Sequence, residues 1–422
     1  MKKLLIPLIL LACVGILFGC AGDGGIVTVI LSYLYFPGYD ETYGVELWKS
    51  DGTIEGTVMV KDINPSGDSR PEQFTNVNGT LYFTADNGSN GRELWKSDGT
   101  AEGTIMIKDI YTGVPGSNPN SITDVNGTLY FSAAAESNGR ELWKSDGTAE
   151  GTVMVVDIYT GEISSSPGFI TNVNGTLYFS ARDETYGYEL WKSDGTDEGT
   201  VMVKDINPGA PDSYPFYLVN FNGTLYFSAY ENTYGVELWK SNGTEESTDI
   251  FLDIDPRTPD GIPMSSSPQN LTNVNGSLFF VASDDSGGGR ELWKSNGTVI
   301  GTVMVKDIYA GSSSSDPTYL TNVNGTLYFS SNDGLTGNEL WISDGTEAGT
   351  VLVKDIDPRT NGDPYSSYPK YLTNANGTLF FTANDGTHGY EPWMSDGTEA
   401  GTVMIMDILE GSANGFYIEP PT

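Results

Sequence analysis

The chain has 422 residues, of which 56 are Asp or Glu, 21 are Lys or Arg and one is His, giving a formal net charge of −35. A charge this negative repels nucleic acid and anionic lipid headgroups, which excludes a nucleic-acid-binding class and leaves nucleic acid out as a partner. Apolar residues make up 38 % of the chain and are accompanied by 52 glycines and 24 tyrosines, a mixture typical of many short strands joined by tight turns.

The N-terminus has the pattern of an export signal. Residues 1–20 read MKKLLIPLILLACVGILFGC, in which two lysines precede an apolar run of about 15 residues, shorter than the roughly 20 that span a bilayer as a helix. The last four letters resemble a bacterial lipobox. We therefore predict a lipoprotein signal peptide over 1–19, a lipid on Cys20 that anchors the chain to a membrane, and a short linker over 20–25. Cys13 would be removed with the signal, so no internal disulfide is expected.

A phrase containing Trp recurs eight times and holds every Trp of the chain. The eight residues are Trp48, Trp95, Trp143, Trp191, Trp239, Trp293, Trp341 and Trp393. Their spacing is about 48 residues, which lies in the range of propeller blades. We predict a single all-β domain over 26–418, a β-propeller of about eight four-stranded blades, with a tail over 419–422.

Each unit is predicted to contain four strands, labelled A to D in chain order. In the fourth unit they are Phe169–Val173, Thr176–Ala181, Tyr188–Ser193 and Thr200–Ile206. Asn174-Gly175 between A and B is a hairpin signal, because both central residues of a type I′ turn need a positive φ. The Asp-Gly of each Ser-Asp-Gly-Thr phrase is expected to act similarly between C and D. Strands B and D are continuous apolar runs, so both are predicted to be buried on two faces.

The first unit departs from this pattern, because it has Leu31-Ser32 where the others have Asn-Gly. After the last strand D, Phe416–Ile418 resembles the start of a strand A. We therefore predict that Phe416–Ile418 supplies the innermost strand of blade one and closes the propeller, which would remove a free sheet edge.

The repeated phrase reads ELWxSDGTxxGT, for example over Glu93–Thr100 followed by Gly103-Thr104. It resembles the bacterial ELWxxDGT repeat protein family across residues 30–410. The resemblance implies an exported or surface-associated repeat protein and brings no catalytic residues with it. Thr336–Trp341 faintly resembles a second repeat, that of quinone-enzyme propellers. That group includes eight-bladed outer-membrane assembly lipoproteins, which supply an alternative.

Residues present in every unit are expected to be structural. This applies to the Trp series, predicted to pack in the core or between blades, and to the Glu of each ELW phrase, predicted to accept backbone or Thr hydrogen bonds from a neighbouring blade. The glutamates are Glu46, Glu93, Glu141, Glu189, Glu237, Glu291, Glu339 and Glu391. His388 is the only His and lies in a loop, and one His with one lipidated Cys cannot complete a zinc site.

The variable parts of the units are the B–C loops and the D–A crossings, which are expected on one face of the propeller. Loops on a rigid scaffold commonly carry binding residues. The candidate ligand or Ca²⁺-binding residues there are Asp86, Asn87, Asp183, Glu184, Asp284, Asp285, Asn332, Asp333, Asn384, Asp385, Arg257 and Arg359. Ca²⁺ prefers six to eight oxygen ligands, so neighbouring loops would have to share it. No other cofactor is expected.

These observations favour a non-catalytic envelope or surface lipoprotein that acts as an adhesion, binding or scaffold module through this loop face, with a protein or glycan ligand. Two alternatives stay open: the periplasm-facing outer-membrane assembly lipoprotein, and a glycoside hydrolase with an Asp/Glu pair in the central funnel. The chain is expected to be exported to the cell envelope, in the outer membrane or at the cell surface.

Overall fold

The fold is an all-β, eight-bladed β-propeller of four-stranded antiparallel sheets. It was obtained as a computed structural model, which describes residues 28–30, 33–40, 42–51, 55–284, 287–375, 377–405 and 407. In every sheet the four strands lie side by side in chain order, so each blade is a meander. The chain forms two compact units, Met1–Leu218 and Val219–Thr422.

Blades one to four consist of β1 (Thr28–Ile30), β2 (Tyr33–Asp40), β3 (Gly44–Ser50), β4 (Val58–Lys61), β5 (Glu72–Val77), β6 (Thr80–Asp86), β7 (Arg92–Ser97), β8 (Ile105–Lys108), β9 (Asn120–Val125), β10 (Thr128–Ala135), β11 (Gly139–Ser145), β12 (Val153–Val156), β13 (Gly168–Val173), β14 (Thr176–Asp183), β15 (Gly187–Ser193) and β16 (Val201–Lys204). Blades five to eight consist of β17 (Phe216–Phe221), β18 (Thr224–Glu231), β19 (Gly235–Ser241), β20 (Asp249–Leu252), β21 (Gln269–Val274), β22 (Ser277–Ser283), β23 (Arg290–Ser295), β24 (Val303–Lys306), β25 (Thr318–Val323), β26 (Thr326–Asn332), β27 (Asn338–Ser343), β28 (Val351–Lys354), β29 (Lys370–Ala375), β30 (Thr378–Asn384), β31 (Tyr390–Ser395) and β32 (Val403–Met404). One short 3₁₀ helix, Pro259–Gly261, lies in the crossing after blade five.

The A–B turns are formed as the sequence predicts. In blade two, Asn78 and Gly79 have φ of 51° and 87°, and the Gly79 amide donates to the Asn76 side chain at 3.0 Å. Positive φ at both positions suits Asn-Gly and gives the twist of a type I′ hairpin.

The Ser-Asp-Gly-Thr phrase, in contrast, forms a loop of several residues between strands C and D. In blade two, the Asp98 carboxylate accepts the Thr100 amide and hydroxyl at 2.9 and 2.7 Å, and the Thr100 hydroxyl accepts the Gly103 amide at 3.0 Å. The hydroxyls of Ser97 and Thr104 meet at 2.7 Å across the base of the loop. The short polar side chains satisfy the loop backbone, so the phrase closes a wider turn than a two-residue hairpin.

Strand B forms the core of each blade, buried on both faces as predicted. Leu81, Phe83 and Ala85 on one face of β6 are completely buried, and Tyr82 and Thr84 on the other face are buried too. Trp95 of β7 packs with the first face against Leu47 of blade one. Strand D does not follow the prediction. Val201 of β16 is 40 % exposed, because strand D is the last in its sheet and has a neighbour on one side only.

Lysines join successive blades. The Lys96 ammonium donates to the Gly147 carbonyl of the next blade at 2.8 Å, and Lys108 donates to the Thr152 carbonyl at 2.7 Å. In the second unit, Lys294 donates to the Gly345 carbonyl in the same way. These lysines therefore donate to backbone carbonyls of the next blade, and their positive charges are not paired with the carboxylates of the described Asp or Glu residues.

The innermost strand of blade one comes from a different segment than the sequence predicts. β1 (Thr28–Ile30) pairs antiparallel with β2 in that position, with Ile30 opposite Tyr33. A run of β-branched residues suits a strand even without an Asn-Gly turn. The segment Phe416–Ile418, predicted to fill this position, lies outside the described residues.

Candidate functional site

The acidic residues of the B–C loops cap their own turns. Asp86 accepts the Gly88 amide at 2.7 Å, and Asn87 accepts the Ser89 and Asn90 amides at 3.0 and 2.9 Å. Asp183 accepts two amides of its loop at 2.8 and 2.7 Å. Asn332, Asp333, Asn384 and Asp385 accept loop amides in the same manner. Glu184 accepts the Thr160 hydroxyl, and Asp285 lies outside the described residues.

The two arginines in the long crossings hold those crossings to the following blade. Arg257 donates through two nitrogens to Asp255 and reaches the Asp284 carbonyl at 3.2 Å. Arg359 is bound likewise by Asp357 and by the Gly386 carbonyl at 2.6 Å. The Arg257 side chain also lowers the pKa of Asp255. Such bidentate pairs orient a loop, and they occupy most of the guanidinium donors.

His388 is engaged in its own loop as well. Its Nδ1 lies 2.7 Å from Asp385 Oδ2, and this bond raises the pKa of His388. Burial works against ionisation of Asp385, but the hydrogen bonds from Thr387 and His388 outweigh it and lower its pKa to about 2. Among the described residues, no cluster of three or more His, Cys, Asp or Glu side chains could hold a metal ion. Ca²⁺ binding stays a prediction.

The repeated glutamates hold the D–A crossings. All eight are completely buried. Glu93 accepts the Ser117 amide at 2.7 Å and the Ser117 hydroxyl at 2.5 Å, and the Ser117 carbonyl accepts the Ala134 amide of the next blade at 2.9 Å. The partners are thus backbone amides and a Ser of the crossing, not a Thr, because the Ser comes directly before the turn into strand A. Burial raises the pKa of Glu189 to about 8 despite similar bonds.

The same crossings place unusual backbone conformations at the start of strand A. Each ends in Ser-x-Pro-x-x, and in blade five both Tyr214 and Tyr217 have positive φ, 44° and 55°. The last residue of this motif, two positions after the Pro, lies where the A–B register shifts. It has a left-handed conformation in seven blades: Gln73, Ser121, Phe169, Tyr217, Asn270, Tyr319 and Tyr371. A left-handed residue other than Gly costs about 1–2 kcal/mol, and such strain concentrates at functional sites.

Four of these seven left-handed positions carry an aromatic ring, and the rings meet in pairs. In the first unit, Phe169 and Tyr217 have ring centroids 5.7 Å apart. In the second unit, Tyr319 and Tyr371 are 5.8 Å apart. Phe169 and Tyr319 are 38 % and 37 % exposed, so each pair presents apolar surface to solvent. We call these the first and second aromatic pairs.

The backbone does not require aromatic residues there, since Gln73, Ser121 and Asn270 have the same conformation in other blades. Sequence reasoning missed these positions, because it looked for variation in acidic loops. The signal was present as an aromatic residue two positions after the Pro of the crossing, in Pro167-Gly168-Phe169 and Pro215-Phe216-Tyr217.

No family model matches the chain, and no curated protein matches it. The ELWxxDGT resemblance therefore stays a prediction. The chain is similar to a solved structure from a structural and mechanistic analysis of two prolyl endopeptidases, at 9 % identity and a TM-score of 0.50, with 78 % of this chain and 48 % of that chain covered. Puromycin hydrolase (13 % identity, TM-score 0.47, 86 % and 58 % covered) and prolyl oligopeptidase B from Galerina marginata (11 %, 0.47, 89 % and 55 %) are also similar. The chain spans about half the length of these structures.

The expected function is wrong in the light of this comparison. A non-catalytic adhesion or scaffold lipoprotein acting through the loop face was predicted, but the similar structures are peptidases. The same comparison contradicts the two alternatives, an assembly lipoprotein and a glycoside hydrolase. In the part of the chain that the structure describes, no helix is long and apolar enough to cross a membrane. At 9 % identity the likeness to prolyl endopeptidases shows the propeller fold and nothing beyond it.

Proposed function

We propose that this chain is a peptidase-type propeller that receives peptide substrates, and that its aromatic pairs are the surfaces on which peptide segments bind. The observation that carries the proposal is the pairing of an exposed ring with a half-buried one at strained positions, Phe169 with Tyr217 and Tyr319 with Tyr371. Equivalent positions in other blades hold small or polar residues, so the fold itself does not require aromatic rings there.

Exposed aromatic pairs suit peptides in particular. Tyr and Phe offer large rigid faces for Pro, aliphatic and aromatic side chains, and a Tyr hydroxyl can bond a main-chain carbonyl. Burial raises the pKa of Tyr371, which keeps its phenol neutral and able to donate. The net charge of −35 favours approach by a cationic chain. The prolyl endopeptidases of similar fold supply the class of ligand to test. The proposal assigns peptide reception to this chain and bond cleavage to none of its residues.

The test is fluorescence anisotropy with the full chain and a labelled, unstructured twelve-residue peptide that contains Pro and Lys. One variant combines Phe169→Asn with Tyr217→Asn, and another combines Tyr319→Asn with Tyr371→Asn. Asn tolerates the left-handed region, and Asn270 already occupies it in blade six. The fold is therefore expected to survive both changes.

The matched control combines Gln73→Asn with Ser121→Asn, at the same backbone position in blades two and three. We expect wild type and control to bind equally, and at least one aromatic variant to bind about tenfold more weakly, since burying a ring pair contributes on the order of 1.5 kcal/mol. Equal binding by all four proteins, or none by the wild type, contradicts the proposal. Mass spectrometry of the recovered peptide shows whether the chain itself cleaves it.

A further inference from the structure

Arg182 occupies an aromatic cluster in blade four, the blade that also carries Phe169 of the first aromatic pair. It lies near the end of β14, two residues beyond Ser180, which pairs with Gly168 next to Phe169. Its guanidinium carbon lies 5.0 Å from the centroid of the Tyr159 ring and 5.9 Å from that of Tyr188. The cluster thus holds the guanidinium against two aromatic rings.

One of these two rings, that of Tyr188, is held by further contacts. Tyr188 stacks on Tyr214, with centroids 5.3 Å apart and an interplanar angle of 22°. The Tyr214 hydroxyl donates to Asp212, which raises the pKa of Tyr214. Asp212 also accepts the Tyr188 amide at 2.7 Å. Stacking and hydrogen bonds therefore order the surroundings of Arg182 before any ligand binds.

Arg182 differs from the other arginines, all of which the structure describes. Five of them form ion pairs with Asp or Glu, and Arg140 donates to backbone carbonyls at 2.8, 3.2 and 3.3 Å. The Nε of Arg182 is buried and has no acceptor within the described part of the chain. A buried donor without an acceptor destabilises a folded protein.

The carboxylates nearest to Arg182 in the chain are already engaged. Asp183 caps its own loop through the amides of Thr185 and Tyr186, and Glu184 accepts the Thr160 hydroxyl. Asp212 is held by the two tyrosines of the cluster. Among the residues that the structure describes, no Asp or Glu forms an ion pair with Arg182, although the chain contains 56 acidic residues.

We propose that Arg182 binds a carboxylate of the peptide substrate, either its C-terminal carboxylate or an acidic side chain. The inference rests on the proposed function and names the substrate class for the first aromatic pair. Rings against the guanidinium leave its N–H groups pointing outward in its plane, and a carboxylate matches that fork with two charge-assisted bonds.

Arg182→Ala tests the site without disturbing the fold. The Arg182 amide donates to the Ser165 carbonyl at 3.0 Å, and Ala134, at the same position of blade three, makes the same bond to Ser117 at 2.9 Å. Alanine is thus already compatible with this backbone. Arg182→Lys keeps the charge but loses the planar fork, and Tyr230→Ala alters the same position in blade five as a matched control.

Three labelled peptides of one sequence are compared by anisotropy: a free C-terminal acid, its C-terminal amide, and the amide with one internal Glu. We expect wild type to bind one of the acidic peptides about 10- to 100-fold more tightly than the plain amide. Arg182→Ala should remove this preference, Arg182→Lys should reduce it and Tyr230→Ala should leave it intact. Which acidic peptide is preferred identifies the source of the carboxylate.

The outcomes separate the two proposals. If all three peptides bind wild type equally, or if Arg182→Ala keeps the preference, peptide reception stands and the role of Arg182 is refuted. If none of the three binds, the proposed function is refuted and the role of Arg182 with it.

Discussion

Replacing Glu189 by Gln should destabilise the protein in a way that depends on pH. The carboxylate accepts the Ile206 amide at 2.8 Å, the Ser213 amide at 3.1 Å and the Ser213 hydroxyl at 2.6 Å. An amide has one oxygen, so either the Ile206 or the Ser213 N–H would face an NH₂ group. Leaving one buried N–H without an acceptor costs about 2 kcal/mol. We expect the free energy of unfolding to fall by about that amount at pH 4, where Glu189 is protonated in the folded and unfolded states and the hydroxyl oxygen of the acid, unlike NH₂, can still accept a hydrogen bond.

The pH dependence follows from the raised pKa of Glu189, about 8 in the folded state against an ordinary 4.5. A raised pKa in the folded protein gives stability that is complete below pH 4.5 and is lost as the pH rises through 8. Gln does not titrate. The deficit of Glu189→Gln should therefore shrink as the pH rises from 4.5 to 8 and can change sign, because wild type loses up to about 5 kcal/mol over this range at about 1.4 kcal/mol per pKa unit.

The assay is urea unfolding followed by Trp fluorescence at several pH values. Glu150→Gln, which makes the same charge change on an exposed side chain, is the control and should unfold like the wild type. A deficit below about 0.5 kcal/mol at pH 4 would show that the Glu189 side chain does not hold the crossing. A deficit that stays constant with pH would refute the raised pKa.

Three further predictions use the same unfolding assay. Asp98→Asn should be tolerated and Asp98→Ala should destabilise, because Asn296 makes the same loop bonds at 3.0 and 2.7 Å; equal effects would contradict this capping role. Gly139→Ala should cost more than Gly161→Ala. Both have positive φ, but only at Gly139 would the new Cβ meet backbone atoms, 2.8 Å away. A smaller loss of unfolding free energy for Gly139→Ala than for Gly161→Ala would argue against that contact. Lys96→Met should cost about 1 kcal/mol by removing its bond to the next blade, and unchanged unfolding would show that this bond is dispensable.

Much of the fold could be predicted because turn residues and apolar runs within each repeat specify its local structure. Asn78-Gly79 specifies a hairpin by its allowed φ values, and the apolar run of strand B can only be buried on both faces. Strand D shows where local pattern fails. Val201-Met202-Val203 has the same apolar run, but its burial depends on being last in the sheet, which is a property of topology.

The candidate site was much less predictable. The sequence of a loop does not show whether its Asp binds a ligand or caps the turn. In the structure, Asp86 and Asp183 cap turns. The exposure of Phe169 depends on a left-handed residue at the start of strand A, which its own type does not favour. Only the assembled crossing imposes that conformation.

The sequence by itself determined the repeat, the number of blades, the strand order within a blade and the structural role of residues found in every unit. These follow from turn chemistry and apolar periodicity, which act over a few residues. The tertiary structure decided which side chains remain available to a ligand. Availability depends on which donors and acceptors the folded chain has already paired, and the partners of Glu189, Arg257 and Arg182 lie in segments that only folding brings together.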